Sequence, residues 1–465
     1  MSIDPKTLAQ FHQGHLLQFW GELSPDAQRG LSEQIEHIDF PLLHKLASQS
    51  DEAVDWGKLA AKAEPPPAVK LDDPAPPFSA QAARAAGEAA LRAGQVGMIL
   101  VAGGQGTRLG FNPPKGMFPI GPLSHRTLFQ MHCDRLVASM QRYATSIPMY
   151  IMTSPATDAE TRSYFDEHHR CGLSAEQLQI FCQGTMPAVD AETGQILLAE
   201  KGAVALSPDG HGGLVNALDR HGCLEHARQR GIEHIYYAQV DNPLAQLCDP
   251  ELIGYHILSK SQLTTQVVKK RFATERVGNV VSIDGKVQII EYSDLPESAA
   301  QQTLPDGSLK LWAGNIAVHV FDRSFLANVV ASADGLPFHR AHKKVAYVDS
   351  SGRDVEPSTA NAIKFERFVF DLLPMAERAF VVEGNAAQIF APVKNADGAE
   401  VDTPTHARQA ISRLHRQWLE GAGAELSAGV TVEVHPAWAL DAEEVSSKLA
   451  ELDGPVNFHA DTYLR

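Results

Sequence analysis

Apolar residues recur at helical spacing through the first sixty positions: Leu8, Phe11, Leu16, Phe19 and Leu23, then Ile35, Ile38, Leu42, Leu43 and Leu46. Such spacing lines one face of a helix, so this segment is expected to be helical. Glu64-Pro-Pro-Pro and Asp72-Asp-Pro-Ala-Pro-Pro77 interrupt the pattern with a stiff connector that cannot be helical throughout. An alanine-rich helical run, Ala80 to Ala93, then leads into Val96–Val101, a short apolar stretch of buried-strand length.

From Val96 the two periods alternate. Strands are expected at Val96–Val101, Pro148–Thr153, His234–Val240, Thr265–Lys270 and Ile316–Val320. Helical patterns separate them at Thr127–Tyr143, Asp158–His168, Leu214–Arg230, Pro250–Ser259 and Phe365–Leu373. Val280–Ile290 reads as a hairpin about Asp284-Gly285, a dipeptide suited to a two-residue turn. After about Ala391 the pattern changes to one helix, Thr405–Glu420, and a strand within Gly429–Pro436. Alternation of this kind implies an α/β fold with a mostly parallel sheet and ligands at the strand C-terminal ends. Three segments are expected: a helical segment with its connector (1–80), a central α/β domain (81–390) and a small C-terminal α/β domain (391–465).

Composition narrows the partners. The formal charge of −16 argues against a nucleic-acid surface, which needs basic patches, yet leaves room for a nucleotide held by a few cations. No apolar run approaches the roughly 20 residues that cross a bilayer, and Met1–Leu8 has no basic and apolar leader pattern. The five cysteines form no C-x-x-C pair, and their odd number fits a reducing compartment in which each is a small apolar side chain. A cytoplasmic protein with no membrane partner is the expectation. The twenty histidines are scattered, and His168-His169 reads as a solvated pair rather than a metal site.

Chemistry concentrates after the first central strand. Ala102-Gly103-Gly104-Gln-Gly-Thr-Arg108-Leu-Gly110 places four glycines within eight residues, with Arg108 inside the run and Lys115 just beyond it. Glycines free the backbone to crowd a ligand, and inward amides with two cations suit a polyphosphate. The third glycine comes one place late for a dinucleotide fingerprint, and no Gly-Lys-Ser/Thr of a Walker loop occurs. Gln239-Val-Asp241 ends a later strand, where a carboxylate is placed to hold Mg²⁺ between phosphate oxygens. Ser207-Pro-Asp-Gly210-His211-Gly-Gly213 is a second glycine cluster, opening a helix. Glu291, Gly314-Asn315, Lys364 and Lys394 lie at ends of expected elements and mean little alone.

Twelve segments in order, from Leu100-Val-Ala-Gly-Gly-Gln-Gly-Thr-Arg-Leu-Gly through Pro114-Lys-Gly-Met, Thr127-Leu-Phe-Gln, Met152-Thr-Ser, Gln183-Gly-Thr-Met-Pro-Ala, Pro208-Asp-Gly-His-Gly-Gly, Val240-Asp-Asn and Val287-Gln-Ile-Ile-Glu-Tyr-Ser to Ala313-Gly-Asn-Ile, His342-Lys-Lys, Ile363-Lys-Phe-Glu-Arg-Phe and Pro392-Val-Lys-Asn, resemble the eukaryotic-type UDP-sugar pyrophosphorylases. They span about residues 95–396, and the Gln-Gly-Thr-Arg form of the loop resembles the UDP-N-acetylhexosamine branch. The resemblance implies a Rossmann-like, GT-A-like nucleotidyltransferase that makes a UDP-sugar and pyrophosphate from UTP and a sugar 1-phosphate. It implies that Ala102, Gly103 and Gly104 seat the nucleotide, with Arg108, Lys115 and Lys394 as catalytic cations. By the same resemblance Gln183 and Gly210 read uracil, with His211 where the family usually has Asn. Asp241 meets the metal and phosphates, and Glu291, Gly314, Asn315 and Lys364 serve the sugar 1-phosphate.

An ionised sugar phosphate, whose second pKa is ~6, needs no general base, so positioning and charge stabilisation should carry catalysis. Two readings compete with hexosamine transfer: a UDP-glucose or broad-specificity pyrophosphorylase, and a non-catalytic UDP-sugar sensor that would not need Arg108 and Lys115. A glycosyltransferase would more often show D-x-D at the strand end, which Asp241-Asn-Pro lacks.

Overall fold

Local signals set the helix boundaries. Thr127 caps the helix Leu128–Tyr143 through its hydroxyl oxygen, which accepts from the Gln130 amide, while the Gln130 side chain accepts from the Thr127 amide. Ser79, Asp249 and Thr403 cap the helices Ala80–Arg92, Pro250–Leu258 and Pro404–Gly421, the last two with proline in the first turn. The computed structural model describes residues 5–48, 55–332, 335–452 and 455–465.

Ten strands form the main sheet: β1 (Ala68–Val69), β2 (Val96–Val101), β3 (Met149–Thr153), β4 (Leu178–Cys182), β5 (His234–Gln239), β6 (Leu263–Lys269), β7 (Asn279–Ile283), β8 (Lys286–Ile290), β9 (Ala313–Asp322) and β10 (Ala379–Glu383). Their order is β1-β10-β6-β9-β5-β2-β3-β4, with the β7–β8 hairpin attached to β9. The run β5-β2-β3-β4 is parallel, as is β6-β10-β1, and β9 lies antiparallel between the two groups. The expected α/β sheet is therefore present and mostly parallel. Asp284 and Gly285 both adopt positive φ (51° and 81°) in the β7–β8 turn, as the sequence required.

Two expected helices are corrected. Phe365 lies in the strand Ala362–Glu366, where Ile363 and Phe365 are buried, and only a short helical turn follows at Val369–Met375. Alternation of period two, not helical spacing, governs that stretch. Leu214–Arg230 is two helices, Leu214–Arg220 and Cys223–Gln229, parted where Gly222 takes φ +71°.

Backbone contacts gather into two units interleaved along the chain, a partition absent from the linear division at 80 and 390. The first comprises 1–55, 183–217 and 333–371, and the second 56–182, 218–332 and 372–465. In the first, Leu8, Leu16, Leu31, Ile35, Phe40, Leu43 and Leu46 pack with Val189, Ile196, Leu198, Ile363 and Phe365. In the second, residues of the C-terminal segment, among them Ile411, Leu414, Leu419, Val432 and Val445, share one continuous core with β2, β3, β5 and β9.

Within the second unit the helices Ala80–Arg92 and Pro250–Leu258 meet backbone to backbone. A Cβ on Gly87 would overlap the Pro250 carbonyl, and one on Gly254 the Ala83 carbonyl. The first helix feeds β2 and the second follows β5, so their contact braces the two strands that carry the glycine loop and Asp241. Gly254→Ala should therefore destabilise the protein by about 1–3 kcal/mol or more, although alanine is the better helix former. A urea midpoint equal to that of the parent would refute this.

Candidate active site

β2 and β5 are parallel neighbours with Val101 opposite Gln239, so both chains leave the sheet at the same end. The pairing continues one step further, the Val240 amide donating to the Val101 carbonyl at 3.0 Å. The glycine loop and Asp241 thus emerge side by side. The loop is pinned at its start: the Ala102 amide donates to Met152 O, and the Ser154 hydroxyl donates to Gly103 O at 2.7 Å. A Cβ on Gly103 would press on Ser154 at 3.3 Å, whereas Gly104 faces open space.

The loop then folds on itself. The Gly106 amide donates to Pro113 O, the Lys115 amide donates to Gly104 O, and Gly110 reverses the chain at φ +70°. This closure returns Lys115 to the strand ends, where its ammonium lies 3.7 Å from Asp241 Oδ2. The side chains are only 18% and 14% exposed, so solvent screens the pair less than it would a surface bridge. Arg108 is exposed and has no side-chain hydrogen bond or ion pair among the described residues.

Residues beside Asp241 organise a second loop. Asn242 is buried; its NH₂ donates to Ile389 O at 2.7 Å, and its carbonyl oxygen accepts from the Ala391 amide at 3.0 Å. The Val393 amide donates to Asp241 O at 2.8 Å. The segment 389–393 is thereby hung on the end of β5 and delivers Lys394, whose amide donates to Asp402 O. Burial raises the Asp402 carboxyl, against the opposing pull of Lys394 and Arg271. His132 closes the back: its ring, buried beneath Val240, is pushed down to about 4 and, being neutral, donates Nε2–H to Val240 O at 3.0 Å.

Glu291, Gly314 and Asn315 form a third group. The Asn315 amide donates to Gly278 O, and a Cβ on Gly278 would lie 2.9 Å from a Glu291 carboxylate oxygen. The Asn315 side-chain carbonyl accepts from the Ala317 amide, which leaves its NH₂ unpaired among the described residues. Gly314 is hemmed by Val277, Lys270 and Val268 O. Lys270 is buried, its ammonium on Asn279 Oδ1 at 2.5 Å and Ala273 O at 3.2 Å.

The remaining sequence-predicted residues belong to the first unit. The loop 207–213 lies directly on the segment 367–369: the Gly212 amide donates to Arg367 O, the Arg367 amide donates to Asp209 O, and the Asp209 amide donates to Gly184 O beside Gln183. A Cβ on Gly210, which sits at φ +81°, would overlap Arg367 O. His211 turns inward. Its Nδ1 accepts from the Val369 amide at 3.1 Å, and its ring packs on Phe368 and Phe370. Burial, with His339 nearby, pushes the ring down to about 4, so Nε2–H is the edge left for another partner. Lys364 is in the strand Ala362–Glu366, opposite Ala341.

Sequence reasoning did not find Ser154, His132, Asn242, Asp402 or Lys270. Ser154, His132 and Asn242 act through partners distant in sequence, whereas Lys270 and Asp402 meet groups close to them along the chain; Asn242 in Val240-Asp-Asn and Ser154 in Met152-Thr-Ser offered local signals.

The buried histidines make stability depend on pH. His132 is held at about 4 and His415 at about 3, against about 6.5 in an unfolded chain. Below pH ~6.5 the unfolded state takes up protons that the folded state refuses, so stability present at neutral pH should fall toward pH ~4 by roughly 3 kcal/mol per histidine. His132→Gln, which can keep a donor to Val240 O, should flatten that decline in urea midpoints compared at pH 7 and 5. An unchanged slope would show that His132 is not held neutral.

The sequence profile of a family described as UTP–glucose-1-phosphate uridylyltransferase matches residues 41–402. The human UDP-N-acetylhexosamine pyrophosphorylase-like protein 1 is 37% identical over 445 residues, covering 92% of this chain and 86% of its own. The Saccharomyces cerevisiae UDP-N-acetylglucosamine pyrophosphorylase is 38% identical over 364 residues, covering 77% and 76%. The crystal structure of the UDP-N-acetylglucosamine pyrophosphorylase of Trypanosoma brucei, in complex with an inhibitor, superposes with a TM-score of 0.83 at 26% identity, covering 100% of this chain and 99% of that one. With the glycine loop, Lys115 and Asp241 at the shared end of β2 and β5, this chain belongs to the UTP–glucose-1-phosphate uridylyltransferase family and is similar over most of its length to the UDP-N-acetylhexosamine pyrophosphorylases.

Proposed function

We propose that this chain transfers the uridylyl group of UTP to an N-acetylhexosamine 1-phosphate, forming UDP-N-acetylglucosamine or UDP-N-acetylgalactosamine and releasing pyrophosphate. The observation that carries the reading is the meeting of Lys115 and Asp241 beside the open face of Gly104. A phosphate-seating turn, a cation and an oxygen ligand then share one end of the sheet. A phosphate oxygen of the sugar 1-phosphate attacks the α-phosphorus of UTP, and the bond from that phosphorus to the α–β bridging oxygen breaks. The electron pair leaves with pyrophosphate. The attacking oxygen is already ionised, so no residue has to remove a proton.

The chain's work in this reading is electrostatic and positional. Ala102, Gly103 and Gly104 seat the phosphates, Arg108 reaches them from an unpaired position, and Lys115 and Lys394 stabilise charge on the leaving pyrophosphate. Asp241 fits Mg²⁺, which is commonly held by one or two carboxylates while phosphates and water complete the shell. Bound there, the ion would neutralise phosphate charge. Gln183 and Gly210 contact uracil, with the Nε2–H edge of His211 in place of an amide, and Lys364 contacts phosphate. Glu291 accepts from sugar hydroxyls, and the unpaired NH₂ of Asn315 donates to an acceptor such as the acetamido oxygen. Five cysteines outside any disulfide fit the reducing cytoplasm, and no helix among the described residues is long and apolar enough to cross a membrane.

The test is pyrophosphate release from UTP with N-acetylglucosamine, N-acetylgalactosamine and glucose 1-phosphates, with and without Mg²⁺. Hexosamine phosphates should be preferred and Mg²⁺ required. Arg108→Ala and Lys115→Ala should each lower kcat by ~10²–10³-fold with little change in the unfolding midpoint. Near-normal turnover in both variants would sink the catalytic assignment. A preference for glucose 1-phosphate would move the substrate, and no product from any sugar would favour a sensor.

A further inference from the structure

At the opposite end of β5 from Asp241, three side chains converge from three elements. His234 opens β5 and Asp322 closes β9; they are direct cross-strand partners, so both project on one face of the sheet. His256 comes from the helix Pro250–Leu258 and is fully buried. His256 Nε2 lies 3.1 Å and His234 Nδ1 3.5 Å from Asp322 Oδ1, and all three atoms fall within 4.8 Å of one another. We propose that His234 Nδ1, His256 Nε2 and Asp322 Oδ1 bind a zinc-class divalent transition-metal ion, separate from the reaction site.

Four observations carry this. First, the separations of the two histidine nitrogens from Asp322 Oδ1 bracket the roughly 3.3 Å edge of a tetrahedron whose bonds are ~2.0–2.1 Å. Second, among the described residues the buried His234 Nδ1 makes no well-formed hydrogen bond, only the 3.5 Å contact with Asp322 Oδ1, and coordination would replace that contact with a bond. Third, His256 already has its outer partner: Nδ1 is 3.0 Å from the buried Thr264 hydroxyl. In this structure His256 Nε2–H donates to Asp322 Oδ1 at 3.1 Å; an ion would take that proton's place, and Nδ1–H would then be donated to the Thr264 oxygen, as metal-bound histidines usually require. Fourth, the Asp322 side chain is 31% exposed, so water can supply a fourth ligand.

Two imidazoles and one carboxylate select Zn²⁺ or a like ion over Mg²⁺, which prefers an all-oxygen shell. The site is also remote from the nucleotide end. Seven residue steps of largely extended chain lead from His234 to Asp241, on the order of 20 Å. An ion there would clamp the start of β5, the end of β9 and the helix after β5, and would stabilise the folded state by binding it alone.

The experiment uses the full chain, stripped with a chelator and titrated with Co²⁺ and Zn²⁺ in the absence of nucleotide. One Co²⁺ per chain with the visible spectrum of a four-coordinate nitrogen and oxygen site is expected, displaced by Zn²⁺, together with a Zn²⁺-dependent rise in Tm. His234→Ala and the near-isosteric Asp322→Asn should each weaken the ion by at least ~10-fold and abolish the Tm response, with unchanged circular dichroism and Mg²⁺-supported activity. Failure of the unmodified chain to bind Co²⁺ stoichiometrically would overturn the proposal, as would undiminished binding in a folded sample of either variant.

Discussion

The parallel register of β2 against β5 is the constraint on which the reaction end of the molecule depends. Val101 opposes Gln239, and the bond from the Val240 amide to Val101 O extends the ladder past both strands. A slip of β5 by one residue would turn its side chains to the other face of the sheet and carry Asp241 away from the loop. Everything beyond the strands is tethered to this alignment. Ser154 holds the loop at its first glycine, Gly104 O receives the returning Lys115 amide, and Asn242 carries the loop that ends in Lys394.

The same economy of side chains recurs where backbone must approach backbone. Gly87 and Gly254 let two helices touch behind β2 and β5, and Gly210 and Gly212 let a loop of the first unit lie flat on 367–369. Glycine serves a different purpose at Gly104, where no protein atom stands within reach of the missing Cβ. The first kind is filled by the protein itself. The second is open, and it is there that the loop can admit a ligand.

Much of this was legible in the sequence because it is local. Val96–Val101 is a strand with the expected bounds, Thr127 and Gln130 announce their helix, and Asp284-Gly285 makes its turn. Residue type alone made the glycine loop a candidate phosphate seat, and the family resemblance suggested roles that spacing could not. Phe365–Leu373 misled because Phe365, Phe368, Val369 and Leu372 fall at helical intervals, while packing in the first unit selects the alternation of Ile363 with Phe365. Asn242 and Ile389 are 147 positions apart, His132 and Val240 are 108 apart, and His256 and Asp322 are 66 apart. No local pattern records such meetings. They follow from topology, as does the interleaving of the two units.

The Lys115–Asp241 pair has a consequence for selectivity. Each charge already answers the other, so a ligand that enters must leave neither alone at such low exposure. Inorganic phosphate or a bare nucleotide offers only the anion, satisfies Lys115 and strands Asp241. A free cation does the reverse. An exchange of partners is even only when one ligand brings both signs at once, as a polyphosphate with its counterion does. The pair therefore discriminates among ligands by charge composition, through two side chains alone.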